Sequence, residues 1–159
     1  MNMASPAAGP VAPLAPAPAI LAAANLLLPH LEHGRRIDAI VLRAAMETAC
    51  RGSDATGAWG WKAAYDACEV ATVLFLRKYG NAVFRKAASP EARLLQLAKI
   101  AALLPTQTRR SEDSQNFQQF STPIPLGFAA LSAAAITSDD VVLEPSAGTG
   151  LLAILAKTD

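Results

Sequence analysis

The stretch VVLEPSAGTG, Val141 to Gly150, decides how the fold is read. Val141, Val142 and Leu143 are a short continuous apolar run, the pattern of a buried parallel strand. Glu144-Pro145-Ser146-Ala147-Gly148-Thr149-Gly150 follows as a turn, and Leu151 to Lys157 begins a helix. Gly148 and Gly150 carry no side chain, so the backbone there can take positive φ and approach a ligand closely. A helix starting at Leu151 directs free N–H groups at that ligand, which suits a carboxylate or phosphate. Glu144 falls at the end of the strand, where α/β sheets bind ligands, and its carboxylate can accept from a cationic amino group.

Two common ligands fit poorly. A nucleoside-triphosphate loop needs Lys and Ser/Thr after its last glycine, and here Leu151 and Leu152 follow. A dinucleotide fingerprint is partly met by Gly148, Gly150 and Ala153. The acid that reads the ribose would lie about 20 residues further on, outside the sequence. A nicotinamide enzyme therefore stays as a minor alternative.

Working upstream, Asp139-Asp140 reads as a turn, and LGFAALSAAA as a helix ending near Ile136. Thr122 is its expected cap, with Pro123 or Pro125 in its first turn. Residues 105–119, PTQTRRSEDSQNFQQ, are polar and aperiodic and read as a linker; Arg109 and Arg110 within it read as solvated. Residues 19–104 read as a bundle of about four or five helices. The first spans about Ala19 to Glu32, with Ile20, Ala24, Leu27 and Leu28 on its apolar face and an uncertain end at Pro29. The second spans Arg36 to Cys50, with a stripe of Ile37, Ile40, Val41 and Ala44. After the loop signal Gly52-Ser53-Asp54, a long central helix runs from about Ala58 to Lys78. Tyr79-Gly80-Asn81 marks its end or a kink. Ser89, Pro90 and Glu91 open the next helix, with Leu94, Leu97, Ala98, Ala101 and Leu104 on its core face and Pro105 as its stop. Trp59 and Trp61 read as packing for the long helix rather than as a base-stacking platform, since no Lys/Arg cluster interleaves them.

Residues 1–18 are an Ala/Pro tail expected to be disordered. No basic segment follows Met1, and Pro13, Pro16 and Pro18 interrupt the apolar run. The unbroken part, AILAAANLLL, is about half of the ~20 residues a membrane span needs, so no membrane association is expected. Cys50 and Cys68 make no metal pattern, and neither His30 nor His33 joins them, so the expected location is cytoplasmic. Residues 1–110 carry 13 Lys/Arg against 7 Asp/Glu, and residues 111–159 carry 1 against 6. The basic excess is read first as solvated helix faces, with phosphate attraction as the alternative.

The motif then becomes specific. VVLEPSAGTG resembles motif I of S-adenosylmethionine (SAM)-dependent methyltransferases, in the Asp/Glu-Pro-x-x-Gly-x-Gly form of adenine-N6 DNA methyltransferases. Upstream, QQFSTPIPLGFAAL resembles their motif X, a Phe/Tyr-x-Thr-Pro segment that lies against the methionine end of the cofactor. The order and spacing match that family. Over residues 19–159 the chain is similar to the N-terminal region of bacterial methylase/helicase proteins of the strawberry-notch type, and GSDATGAWGWKAAYDACEVATVLFLRKYG adds to the likeness. The resemblance implies SAM as cofactor and DNA as partner, with Glu144 taking the methionine amino group. Pro145, Ala147, Gly148 and Gly150 would line the cofactor, and Phe120, Thr122 and Pro123 would cover its methionine end.

The family's catalytic (Asn/Asp/Ser)-Pro-Pro-(Tyr/Phe) loop, which holds the flipped base, is missing; the sequence has no Pro-Pro dipeptide. The expected fold class is mainly α, a helical bundle followed by the beginning of a Rossmann-like α/β domain over residues 120–159. Without a sheet partner, Val141–Leu143 should be poorly supported, cofactor affinity weak or absent, and the chain inactive alone. The alternative is a helical DNA-binding or protein-interaction module with a remnant SAM motif.

Overall fold

A computed structural model describes residues 16–87, 89–107, 121–137 and 139–158. Residues 1–15 and most of the linker, with Arg109, Arg110 and Phe120, lie outside the described residues; Ala17 and Pro18 of the expected disordered tail instead open the first helix, where proline fits the first turn. The protein is mainly helical: six α-helices and one 3-10 turn, with no strand among the described residues.

Helix α1, Ala17–Glu32, starts two residues before Ala19 and buries Ala23, Ala24, Leu27 and Leu31. It continues through Pro29, which forfeits one intrahelical bond; the buried Leu31 beyond it holds that turn by packing. Helix α2, Ala39–Cys50, begins later than Arg36 because Asp38 caps it, its Oδ1 accepting from the N–H groups of Ile40 and Val41 at 2.9 Å each. The buried face of α2 is Leu42, Ala45 and Met46, not the expected stripe. Ile37 is buried but precedes the helix, its N–H donating to the Leu103 carbonyl at 2.7 Å. Counting helical phase from Ile37 therefore turns the wrong face inward, and Ile40 is 78% exposed.

A 3-10 turn, Asp54–Thr56, leads to α3, Trp61–Arg85, which is 25 residues long and occupies the centre. It starts three residues after Ala58 and does not end at Gly80, which is buried inside it. Beyond Gly80, Phe84 packs against Phe128 with ring centroids 5.6 Å apart. That aromatic burial outweighs the ~1 kcal/mol by which glycine weakens a helix interior. Helix α4, Pro90–Ala101, has the expected start, with Ser89 Oγ accepting from Ala92 N–H at 3.2 Å. Its buried residues are Leu97 and Ile100, while Ala98 is exposed. It ends before Pro105, in a turn that frees the Leu103 carbonyl for Ile37.

Helix α5, Ile124–Ala134, has Pro123 at its N-cap, and exposed Thr122 makes no cap bond. Helix α6 is Leu151–Thr158. Two apolar clusters result. One joins α1, α2 and the first half of α3, with Ala24, Leu27, Leu42, Met46, Trp59 and Ala64 at its centre. The other joins α3 and α4 to α5 and α6 through Leu76, Phe84, Leu97, Ile124, Phe128 and Leu155. The helices that follow the linker thus pack on α3 and α4 through the second cluster.

Both indoles pack inward. Trp59 is 1% exposed, and its Nε1–H donates to the Gly52 carbonyl at 3.0 Å. Trp61 donates to Asp54 Oδ2 at 3.2 Å, lies under the Arg43 guanidinium at 5.5 Å, and Arg43 is paired with the same Asp54. Trp59 therefore offers no face to a base.

Burial, aided by the charge of Glu69, pushes the Cys68 thiol up to about 12, and burial also raises half-exposed Cys50. Thiolate is the reactive form. Iodoacetamide at pH 8 should therefore label Cys50 first and Cys68 only after denaturation; peptide mapping that finds Cys68 modified in the native protein contradicts this packing. Among the described residues no group of three or more His/Cys/Asp/Glu could hold a metal, and no helix is long and apolar enough to cross a membrane.

At the α1–α3 seam, Lys78 Nζ and Tyr79 Oη both donate to Glu32 Oε1, at 2.8 and 3.0 Å. These bonds hold the Glu32 carboxyl below its ordinary value. A carboxyl depressed by folding adds stability above its unfolded pKa, and that stability is lost as pH falls through the folded value. Thermal stability should therefore fall at acid pH less steeply in Glu32→Gln than in the natural protein. Parallel acid profiles would remove the seam from the pH account.

Candidate cofactor site

Val141, Val142 and Leu143 are 99%, 47% and 86% exposed and form no strand. This corrects the strand expectation and fits the expected lack of support: a strand exists only through pairing, and none of the described residues pairs with these. The turn after them does form. Gly148 has φ +51° and Gly150 φ +84°, so both glycines occupy the left-handed region. A Cβ at Gly150 would meet nothing within 4 Å, and one at Gly148 only the Ser146 carbonyl at 3.8 Å. Backbone angle, not crowding, requires glycine here, and open space lies beside it. The Gly150 N–H donates to the Ala147 carbonyl at 2.7 Å, and the Gly150 carbonyl receives Ile154 N–H at 3.0 Å, so the turn runs directly into α6.

Glu144 is half-buried, and its Oε1 accepts from Ser146 N–H at 2.9 Å. That bond pins the carboxylate at the base of the turn. A carboxylate has lone pairs to spare for a second donor. Among the described residues, Glu144 is also the only charged one lining an apolar cleft of about 160 Å³ walled by α5 (Gly127, Ala130, Leu131), Val142 and α6 (Leu152, Ala153, Ala156). The cleft depends on close helix approach: a Cβ on Gly127 would fall 2.6 Å from Leu152 Cδ2 and 3.2 Å from Leu155 Cδ1. Its volume is below the roughly 300 Å³ at which ligand pockets usually begin, so it has room for one end of a cofactor only.

The structure brings Glu144 together with the turn of Pro145, Ala147, Gly148 and Gly150. Thr122 and Pro123 are exposed at the start of α5 and do not line the cleft. Sequence reasoning missed two contributors. Gly127, inside the upstream motif, is the contact point of α5 with α6. Glu69 of α3 is 7% exposed and reaches the turn: Thr149 Oγ1 donates to its Oε2 at 2.8 Å. Nothing local in the sequence marks Glu69, which lies 80 positions from Thr149.

Compared with known proteins, the chain matches no family model, no curated protein and no solved structure.

Proposed function

We propose that this chain carries the SAM-contacting opening part of an adenine-N6 DNA methyltransferase, of the methylase/helicase type, working in the cytoplasm. The observation that carries the proposal is the conformation of residues 144–150. A carboxylate sits at the edge of an apolar cleft, two left-handed glycines with open space around them follow in the same turn, and a helix begins immediately after. A zwitterionic amino-acid end fits this set, with its ammonium on Glu144 and its carboxylate toward the N–H groups opening α6.

SAM, when bound, supplies a methyl group activated on a sulfonium. The residues present here would bind and orient it: Glu144 holds the amino end, and Gly148 and Gly150 let the backbone come close. In the Rossmann-like arrangement proposed for residues 120–159, the exposed run Val141–Leu143 becomes a buried strand beside further strands. The sequence offers no Pro-Pro loop to hold adenine, so this chain by itself should transfer no methyl group to DNA. Radiolabelled SAM incubated with DNA and the full chain tests that, and turnover above background contradicts it. The parentage is tested in the DNA following codon 159, where an Asn-Pro-Pro-Phe-like loop is expected, and its absence over several hundred codons counts against the proposal.

A second reading, a helical DNA-contacting module, draws on Arg77, Arg85 and Lys86. Arg77 and Arg85 lie in the C-terminal half of α3 and Lys86 directly follows it; all three are exposed and form no ion pair among the described residues. DNA affinity that falls steeply with salt supports it, and binding that ignores salt, or none, removes it.

A further inference from the structure

Glu69 is a buried carboxylate with no cation beside it among the described residues. A charge in that position is costly unless hydrogen bonds compensate it. Two neutral donors do so. Gln107 Nε2, from the segment after α4, donates to Oε1 at 3.2 Å, and Thr149 Oγ1 donates to Oε2 at 2.8 Å. The carboxylate thus ties three parts of the chain together: the central helix, the segment leaving α4 and the glycine turn.

The site of attachment matters. Thr149 stands between Gly148 and Gly150, both with left-handed backbone. Glycines allow that conformation but do not select it, because each also populates many others. Thr149 is half-buried and is the side chain of the turn that bonds to Glu69. A hydrogen bond to a charged acceptor is among the stronger kinds and leaves a buried charge under-satisfied when lost.

We infer that Glu69 is a positioning residue for the glycine turn: from inside the helical bundle it clasps Thr149 and so selects the backbone conformation of Gly148 and Gly150 at the start of α6. The clasp makes the bundle part of the cofactor site without touching the ligand. Only its consequence for SAM rests on the function proposed above; the clasp itself needs no ligand.

The test compares the full-length natural chain with Thr149→Val, which keeps shape and removes the hydroxyl, and Thr149→Ser, which keeps the hydroxyl. Amide hydrogen exchange is read at Gly150 and Ile154, whose N–H groups are bonded within the turn and the first turn of α6, and at Leu42 and Ala64 as controls for the distant core. Thr149→Val should speed exchange at Gly150 and Ile154 about tenfold or more, leave Leu42 and Ala64 unchanged, and Thr149→Ser should restore the natural rate. Glu69→Gln, which keeps an acceptor oxygen, should lie between. Unchanged exchange at Gly150 in Thr149→Val overturns the clasp, and so does equal acceleration at every site, which reports general loosening. A SAM titration on the same samples separates the two claims. If the natural chain responds and Thr149→Val does not, the clasp positions the site. If the natural chain does not respond, the SAM proposal fails while the exchange rates still decide the clasp.

Discussion

Trp59→Ala should cost about 3–5 kcal/mol, a large part of the ~5–15 kcal/mol that holds an ordinary domain together. Trp59 is the largest fully buried side chain, at 1% exposure, and it belongs to the cluster that joins α1, α2 and α3. Removing it opens a cavity beside Trp61, whose ring lies 5.6 Å away edge-on, and leaves the Gly52 carbonyl without its indole donor. Urea unfolding followed by circular dichroism should show the midpoint falling sharply with little change in slope. Trp59→Phe, which keeps an aromatic ring in place, should cost distinctly less. A midpoint within error of the natural protein for Trp59→Ala would mean that the indole is not a core group, and the base-stacking alternative would return.

The second large effect is expected at Phe128. This residue of α5 is 3% exposed and stacks at a tilt on Phe84 of α3. Phe128→Ala should also cost about 3–5 kcal/mol locally, because it opens a cavity beside Phe84 where α5 meets α3 in the second cluster. Its consequence differs from that at Trp59. The α5–α6 pair should detach from α3 and α4 before the α1–α3 cluster melts. Limited proteolysis should then cut first between α5 and α6, at residues 135–150, while the α1–α3 helices survive. Simultaneous loss of every helix would show that the two clusters form one cooperative unit.

Much of the helical part was legible in the sequence because its signals are local. Ser89-Pro90-Glu91 carries cap, first-turn proline and dipole complement within three residues, and the helix starts there as expected. The phase of α2 was not legible. Ile37 and Ile40 look like one stripe, yet Ile37 is held in the core by a backbone bond to Leu103 and Ile40 faces outward. The passage of α3 through Gly80 depends on Phe84 meeting Phe128, a contact 44 positions away that no window of sequence displays. The glycine turn reads well because its backbone angles demand glycine locally. The strand before it reads wrongly on this chain because strand identity belongs to a pair, and its apolar run lies exposed. Thr122 reads as a cap by composition, but Pro123 takes the cap position, and the first turn closes through the Pro123 carbonyl to Leu126 and Gly127 N–H at 2.9 and 3.0 Å.

The most direct measurement is an NMR titration of the isotope-labelled full chain with millimolar SAM, followed at the amides of Gly148, Gly150 and Leu151. SAM should shift these resonances progressively, NAD at the same concentration should leave them in place, and Glu144→Ala should abolish the SAM response while the resonances of the α1–α3 core stay unmoved. Resonances that ignore SAM, that move equally with NAD, or that respond undiminished in Glu144→Ala would contradict the assignment of residues 144–150 as a SAM-binding turn.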